Sequence, residues 1–173
     1  GKELTTLSGD HTGQVYYVKF GPSGKYIVSK DVSGLIKVWD TADVNEPIKS
    51  IRHVGNKLSS VSFSPDGNQI VSAMRDDGSI KVWDAVTGDE ILTFRKEGVR
   101  FVAFSPNGKH IVSAGEDGLI TIWDSASGDE VMSIVGHDQT IRTMSINSDG
   151  SIFASGSSDK TIKIWDAITG SLV

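Results

Sequence analysis

Ile80-Lys81-Val82-Trp83-Asp84 decides the fold, because the same stretch occurs three more times: Ile36-Lys37-Val38-Trp39-Asp40, Ile120-Thr121-Ile122-Trp123-Asp124 and Ile162-Lys163-Ile164-Trp165-Asp166. All four tryptophans of the chain lie in it, at a period of about 42 residues. Within each copy, apolar and polar residues alternate with period two, the mark of a strand with one buried face. After the Asp, Thr87-Gly88, Ser127-Gly128 and Thr169-Gly170 supply a turn, and a further short strand such as Glu90-Ile91-Leu92-Thr93-Phe94 begins. The first copy departs there, with Asp43-Val44-Asn45-Glu46-Pro47 in the turn. Upstream, each unit opens with another alternating strand: Val15 to Phe20, Leu58 to Phe63, Val99 to Phe104 and Ile141 to Ile146. These strands end in Gly21-Pro22-Ser23-Gly24, Ser64-Pro65-Asp66-Gly67, Ser105-Pro106-Asn107-Gly108 and Asn147-Ser148-Asp149-Gly150. Pro presets φ at the second position of three of these turns, and Gly accepts a positive φ at the fourth of all. A third run follows: Ile27-Val28-Ser29, Ile70-Val71-Ser72, Ile111-Val112-Ser113 and Phe153-Ala154-Ser155.

Composition narrows the rest. The 173 residues are 23% charged and 38% hydrophobic, as expected of one globular domain. With no Cys there is no disulfide framework, thiolate nucleophile or Cys-based zinc site. No apolar run approaches the roughly 18 residues of a membrane helix, and the first residues lack the layout of a signal peptide. The expectation is a protein without a membrane partner, placed intracellularly in cytoplasm or nucleus. A net charge of −5 with scattered Lys and Arg argues against nucleic acid as a partner. Because the chain starts with Gly1, it reads as a processed start or a piece of something longer.

Four short strands per unit, turns about every ten residues and no sustained helical period give an all-β fold of four-stranded antiparallel blades. The chain resembles the WD40-repeat β-propeller family along its whole length, as one domain, 1–173, with repeats at approximately 3–47, 48–89, 90–129 and 130–173. The resemblance implies that an outer strand from one end of the chain closes the last blade at the other. Residues 3 to 7 would then pair with the strand ending at Trp165. Four blades are few for such a ring, which leaves three options: two copies joined head to tail as an eight-bladed homodimer, a fragment of a larger propeller, or a four-bladed ring. An open arc is the least favoured, since it exposes apolar blade faces at both ends.

The resemblance also implies a hydrogen-bonded tetrad of His, Ser or Thr, Asp and Trp in each blade. The fourth unit has the full set in His137, Ser155, Asp159 and Trp165. The third has Arg95 in place of the His. The second has His53 one residue early and a longer span from Ser72 to Asp77. In the first, Ser33 stands at the Asp position and Asp31 lies two residues upstream. On this count the fourth blade is expected to be the most rigid.

A Ser, His and Asp in one repeat invite a catalytic-triad reading, but a nucleophilic Ser has to be exposed beside a base and an oxyanion hole, whereas Ser155 lies on an inner strand. Asp-Gly at Asp66, Asp77, Asp117 and Asp149 is turn chemistry without the alternating carboxylates of a calcium loop. His110 follows a turn and is expected at the surface, and Arg95-Lys96 with Arg100 forms a local basic cluster. A propeller hydrolase would need carboxylates where the first strands begin, and those positions hold Gln14, Tyr16, Lys57, Ser59, Arg100, Thr140 and Arg142. No catalytic, cofactor or metal residue is therefore assigned. The resemblance implies a non-catalytic scaffold for a protein or peptide partner. Its candidate contacts are Lys57, Arg100, Gln139 and Arg142 near the first strands, with Asp76, Glu116 and Ser158 beside the turn aspartates. A diverged designed or excised repeat array without a partner is the remaining alternative.

Overall fold

The computed structural model describes residues 5–7, 11–43, 46–53, 57–167 and 169–173. Blade 1 is built of β1 (Val15–Phe20), β2 (Tyr26–Asp31), β3 (Leu35–Asp40) and β4 (Lys49–Arg52). Blade 2 holds β5 (Leu58–Phe63), β6 (Gln69–Met74), β7 (Ser79–Asp84) and β8 (Glu90–Arg95). Blade 3 holds β9 (Val99–Phe104), β10 (His110–Gly115), β11 (Leu119–Asp124) and β12 (Glu130–Val135). Blade 4 holds β13 (Ile141–Ile146), β14 (Ile152–Ser157) and β15 (Ile162–Asp166). Every pairing is antiparallel between sequence neighbours, so each blade is a meander.

The turns expected between first and second strands close as i to i+3 turns. Gly24, Gly67, Gly108 and Gly150 donate to Gly21, Ser64, Ser105 and Asn147, and all four glycines have φ between 72° and 77°. The aspartate of each Trp-Asp pair starts the next turn. Asp84 Oδ1 accepts from the N–H of Val86 and Thr87, and Asp124 Oδ1 accepts from Ala126 and Ser127. In blade 1, β4 pairs only as far as Val38 and leaves Trp39 outside that ladder, whereas β8 and β12 reach Trp83 and Trp123. The outer strand is thus shortest in the blade whose 43–47 sequence departs from the other turns. Val44 and Asn45 lie outside the described residues.

The core lies between blades. One cluster joins Val28, Ile36 and Val38 of blade 1 to Val61, Phe63 and Trp83 of blade 2, and two equivalent clusters follow along the arc. Adjacent residues of an inner strand serve different clusters: Ile70 faces blade 1 and Val71 faces blade 3. That is period two with both faces buried. Each such Ile or Val contributes about 1.5–3 kcal/mol through burial.

At the ends of the arc the same positions are bare. Ile36, Ile80 and Ile120 are 0% exposed, whereas Ile162, their counterpart in blade 4, is 79% exposed. Val61 and Val102 are 1% exposed, whereas Val18 in blade 1 is 65% exposed. The disfavoured open arc is therefore the form of this chain, with Val18 and Phe20 at one end and Ile162 and Ile164 at the other turned outward. Beside β15, Leu172 bridges to Trp165, and the Val173 N–H donates to the Ile164 carbonyl at 2.9 Å. The chain's own last residues enter the place assigned from sequence to residues 3 to 7. Of those five, Glu3 would have started the strand and, with Leu4, lies outside the described residues, while residues 5–7 form no strand.

Candidate interaction surface at the channel mouth

The second residue of each first strand is one that the neighbouring strand does not pair. On β1, Val15 pairs with Asp31 and Tyr17 with Lys30, which skips Tyr16. The same break skips Ser59 on β5, Arg100 on β9 and Arg142 on β13. A bulge of this kind bends the strand and re-aims one side chain. All four bulge residues line one cavity of about 440 Å³ on the inner side of the arc, termed the channel mouth below, together with Lys57 and Arg75.

Charge gathers there. Arg75 and Arg100 both meet Glu116 Oε1, at 2.7 Å from Arg75 Nε and 3.0 Å from Arg100 Nη2. Hydrogen bonding from Arg75 is the chief reason the Glu116 carboxyl is held below its ordinary range. Lys57 Nζ lies 3.3 Å from Asp76 Oδ1, and Arg142 Nε donates to Ser158 Oγ at 2.8 Å. Behind the cavity, buried Lys30 donates to the carbonyls of Ser59 at 2.7 Å and Leu58 at 3.3 Å and lies over the Tyr16 ring. Burial lowers its pKa to about 8, so the ammonium is still largely protonated at neutral pH. Arg100 Nε is buried without an acceptor.

Below the mouth, side-chain relays tie the strands of each blade. In blade 4, Trp165 Nε1 donates to Ser155 Oγ at 2.8 Å, Ser155 lies 2.7 Å from His137 Nε2, and His137 Nδ1 lies 2.7 Å from Asp159 Oδ2. The carboxylate can only accept, so the proton of a neutral ring sits on Nδ1 and the Ser hydroxyl donates to Nε2. Gly118 positions this His from the neighbouring blade: its carbonyl accepts from the His137 N–H at 3.0 Å, its φ is +73°, and a Cβ there would fall 2.1 Å from the His137 carbonyl oxygen. Blade 1 closes in the same way, because Asp31 takes the acid's role from two residues upstream. Its Oδ2 lies 3.1 Å from His11 Nδ1, and Ser33 donates to its Oδ1 at 2.6 Å. Burial alone would raise the Asp31 carboxyl, but the hydrogen bonds from Ser33, His11 and the Leu35 N–H outweigh it and bring the pKa down to about 2. The incomplete first set expected from sequence is thus complete in the structure.

Blade 2 uses a longer relay in which the ring is reversed. Trp83 Nε1 donates to Ser72 Oγ at 2.7 Å, Ser72 lies 2.8 Å from His53 Nδ1, His53 Nε2 lies 2.8 Å from Ser79 Oγ, and Ser79 donates to Asp77 Oδ1 at 2.6 Å. Following the donors from Trp to Asp puts the proton on Nε2, the opposite tautomer from His137. Burial, helped by the nearby Lys81 charge, lowers the His53 pKa to about 4. In blade 3, Trp123 donates to Ser113 at 2.8 Å, and Lys96, not Arg95, meets the aspartate, at 2.7 Å from Asp117 Oδ2. Asp66 is held by turn contacts to Ser64 and Asn68, and His110 is half-buried at the start of β10.

The sequence profile described as "WD domain, G-beta repeat" matches residues 1–40, 45–84, 88–124 and 128–166. The chain belongs to the WD-repeat family. This WD-repeat chain is 35% identical over 128 residues to nuclear distribution protein PAC1 of Arthroderma otae, covering 67% of the chain and 27% of that protein. It is 32% identical over 106 residues to small ribosomal subunit protein RACK1 of Caenorhabditis elegans, covering 59% of the chain and 32% of that protein. Actin-interacting protein 1 of Drosophila melanogaster is 36% identical over 64 residues, covering 36% of the chain and 10% of that protein. The chain spans about a third or less of the length of each of these relatives.

Of the sequence-derived contacts, Lys57, Arg100 and Arg142 line the cavity, and Asp76, Glu116 and Ser158 partner them. Gln139 does not line it, and its carbonyl accepts from Ser157 at 3.2 Å. Sequence reasoning missed Arg75 and Tyr16 as lining residues. Tyr16 stands in register with Arg100 and Arg142, a signal present in the aligned repeats. Arg75 stands in register with Glu116 and Ser158, since the three N–H groups donate to the equivalent carbonyls of Lys57, Gly98 and Thr140, and the extra residue of the Ser72 to Asp77 span falls after it.

Proposed function

We propose that the chain is a non-catalytic scaffold whose partner, a protein or peptide, docks at the channel mouth. The observation that carries this reading is the four in-register bulges, which turn one side chain from every blade into a single cavity. Rigid blades hold these side chains at low entropic cost, which suits recognition. The names of the relatives, an actin-interacting protein among them, fit a binding role in an intracellular setting, cytoplasmic or nuclear. No cofactor enters this reading. In affinity capture from cell extract, the Arg100→Glu, Arg142→Glu double variant is expected to lose at least tenfold of the partner retained by the parent chain. Undiminished capture by the folded variant would remove the channel mouth from the function.

The second reading concerns the arc. Val18 and Phe20 at one end and Ile162 and Ile164 at the other stand in the register that packs blade on blade elsewhere, so two copies fit head to tail. Light scattering across a dilution series is expected to give about twice the 18.5 kDa chain mass, and Phe20→Asp is expected to return it to one chain. A parent chain that stays at single mass throughout would exclude the pairing.

A further inference from the structure

We propose that the channel mouth binds a phosphate monoester carried by a phosphorylated side chain of the partner. This rests on the scaffold reading and adds the chemistry of what is recognised.

The cavity runs against the charge of the whole molecule. In a chain of net charge −5, four cationic side chains, Lys57, Arg75, Arg100 and Arg142, line it with buried Lys30 behind them, and the carboxylates in contact with these cations are Asp76 and Glu116. Glu116 is shared by two guanidinium groups through the same oxygen. Among the described residues Arg142 meets a hydroxyl, Ser158 Oγ, and no carboxylate. Arg100 Nε is the one buried side-chain nitrogen among them with no acceptor at all. Buried donors are nearly always satisfied, and this guanidinium, whose Nη2 is engaged by Glu116, is left one acceptor short beside the cavity.

The ligand that answers all of these carries more than one negative charge and several acceptor oxygens at one atom. A phosphate monoester brings about −1.5 to −2 charges and three strong acceptors, and guanidinium groups bind it through paired, charge-assisted hydrogen bonds. A single carboxylate offers half the charge and no third oxygen. A nucleic-acid strand needs a basic stripe along several phosphates, whereas here the cations converge on one cavity of about 440 Å³. Tyr16, on the blade 1 side of the cavity, gives a flat apolar wall for the residue bearing the phosphate.

The test titrates the ¹⁵N-labelled chain, at fixed ionic strength, with acetyl-Gly-phosphoSer-Gly-amide, with the unphosphorylated peptide and with inorganic phosphate, and follows the arginine Nε–H resonances. The phosphopeptide is expected to move Arg100 and Arg142 together. Its affinity should fall at least tenfold in Arg142→Gln, a change at an exposed position that leaves the fold intact, and in Arg100→Gln. The unphosphorylated peptide should leave the resonances in place. Inorganic phosphate binding without the phosphopeptide would assign the site to a free anion and overturn the proposal, as would unmoved arginine resonances with every probe. Capture of a cellular partner that depends on Arg100 and Arg142 yet survives phosphatase treatment of that partner would also overturn it while leaving the scaffold reading intact. Capture indifferent to both arginines is the separate failure of that reading.

Discussion

Lowering the pH from about 7 to 4 is expected to remove about 3 kcal/mol of folding stability through His53 alone. In the unfolded chain this ring takes up a proton near pH 6.5, whereas in blade 2 it resists until about pH 4. Between those values the unfolded state binds a proton that the folded state does not. The contribution is therefore complete above about pH 6.5 and declines as pH falls to about 4, at about 1.4 kcal/mol per pH unit. Protonation would also give Nδ1 a hydrogen facing Ser72, whose oxygen already accepts from Trp83. Asp31 acts in a separate, lower window. With its carboxyl held at about 2, its stabilisation is present above the ordinary value of 3.8 and is lost as pH falls through 2. Urea denaturation at successive pH values should show the first decline in the parent chain and its flattening in His53→Gln. An unchanged slope in that variant would place the sensitivity in another group.

Ser72→Ala should destabilise the chain by about 2–5 kcal/mol, and Ser113→Ala by about 1–3 kcal/mol. Both serines are 0% exposed and both accept from a tryptophan indole. Ser72 also serves His53, so its removal strands two buried polar groups, whereas Ser113 has no histidine and its removal strands one. A buried group left unpaired costs about 1–3 kcal/mol, and the difference between the two variants measures the histidine's share. Urea midpoints of the two variants under identical conditions provide the comparison. Equal losses would show that the relay through His53 adds nothing to blade 2.

Blade architecture was legible because its signals are local. Strand alternation, the turns ending at Gly24, Gly67, Gly108 and Gly150, and the Trp-Asp pairs act within a few residues, and the structure follows them closely. The relays were harder to read, since a hydrogen bond depends on where an oxygen sits and not on how many residues precede it. Asp31 reaches His11 from outside the expected position because Ser33 donates to its other oxygen. Ser79 extends the reach of Asp77 in a span one residue too long, and Lys96 approaches Asp117 where position counting points to Arg95. These findings also remove the ground for ranking blade 4 as the most rigid. Blade 4 loses its distinction as the sole complete set, and blades 2 and 3 are the ones covered on both faces. The channel-mouth residues were legible as register positions, but their convergence on one cavity comes from the packing of blade on blade.

The bulged residue at the head of each first strand has a meaning beyond geometry. Since it belongs to no ladder pair, backbone pairing does not dictate its identity, and the chain places Tyr16, Ser59, Arg100 and Arg142 there over nearly identical frames. The blades behave like a printer's forme with four loose pieces of type. Exchanging one letter changes the side chain offered at the cavity while the frame that carries it stays locked, so the surface can be edited one position at a time.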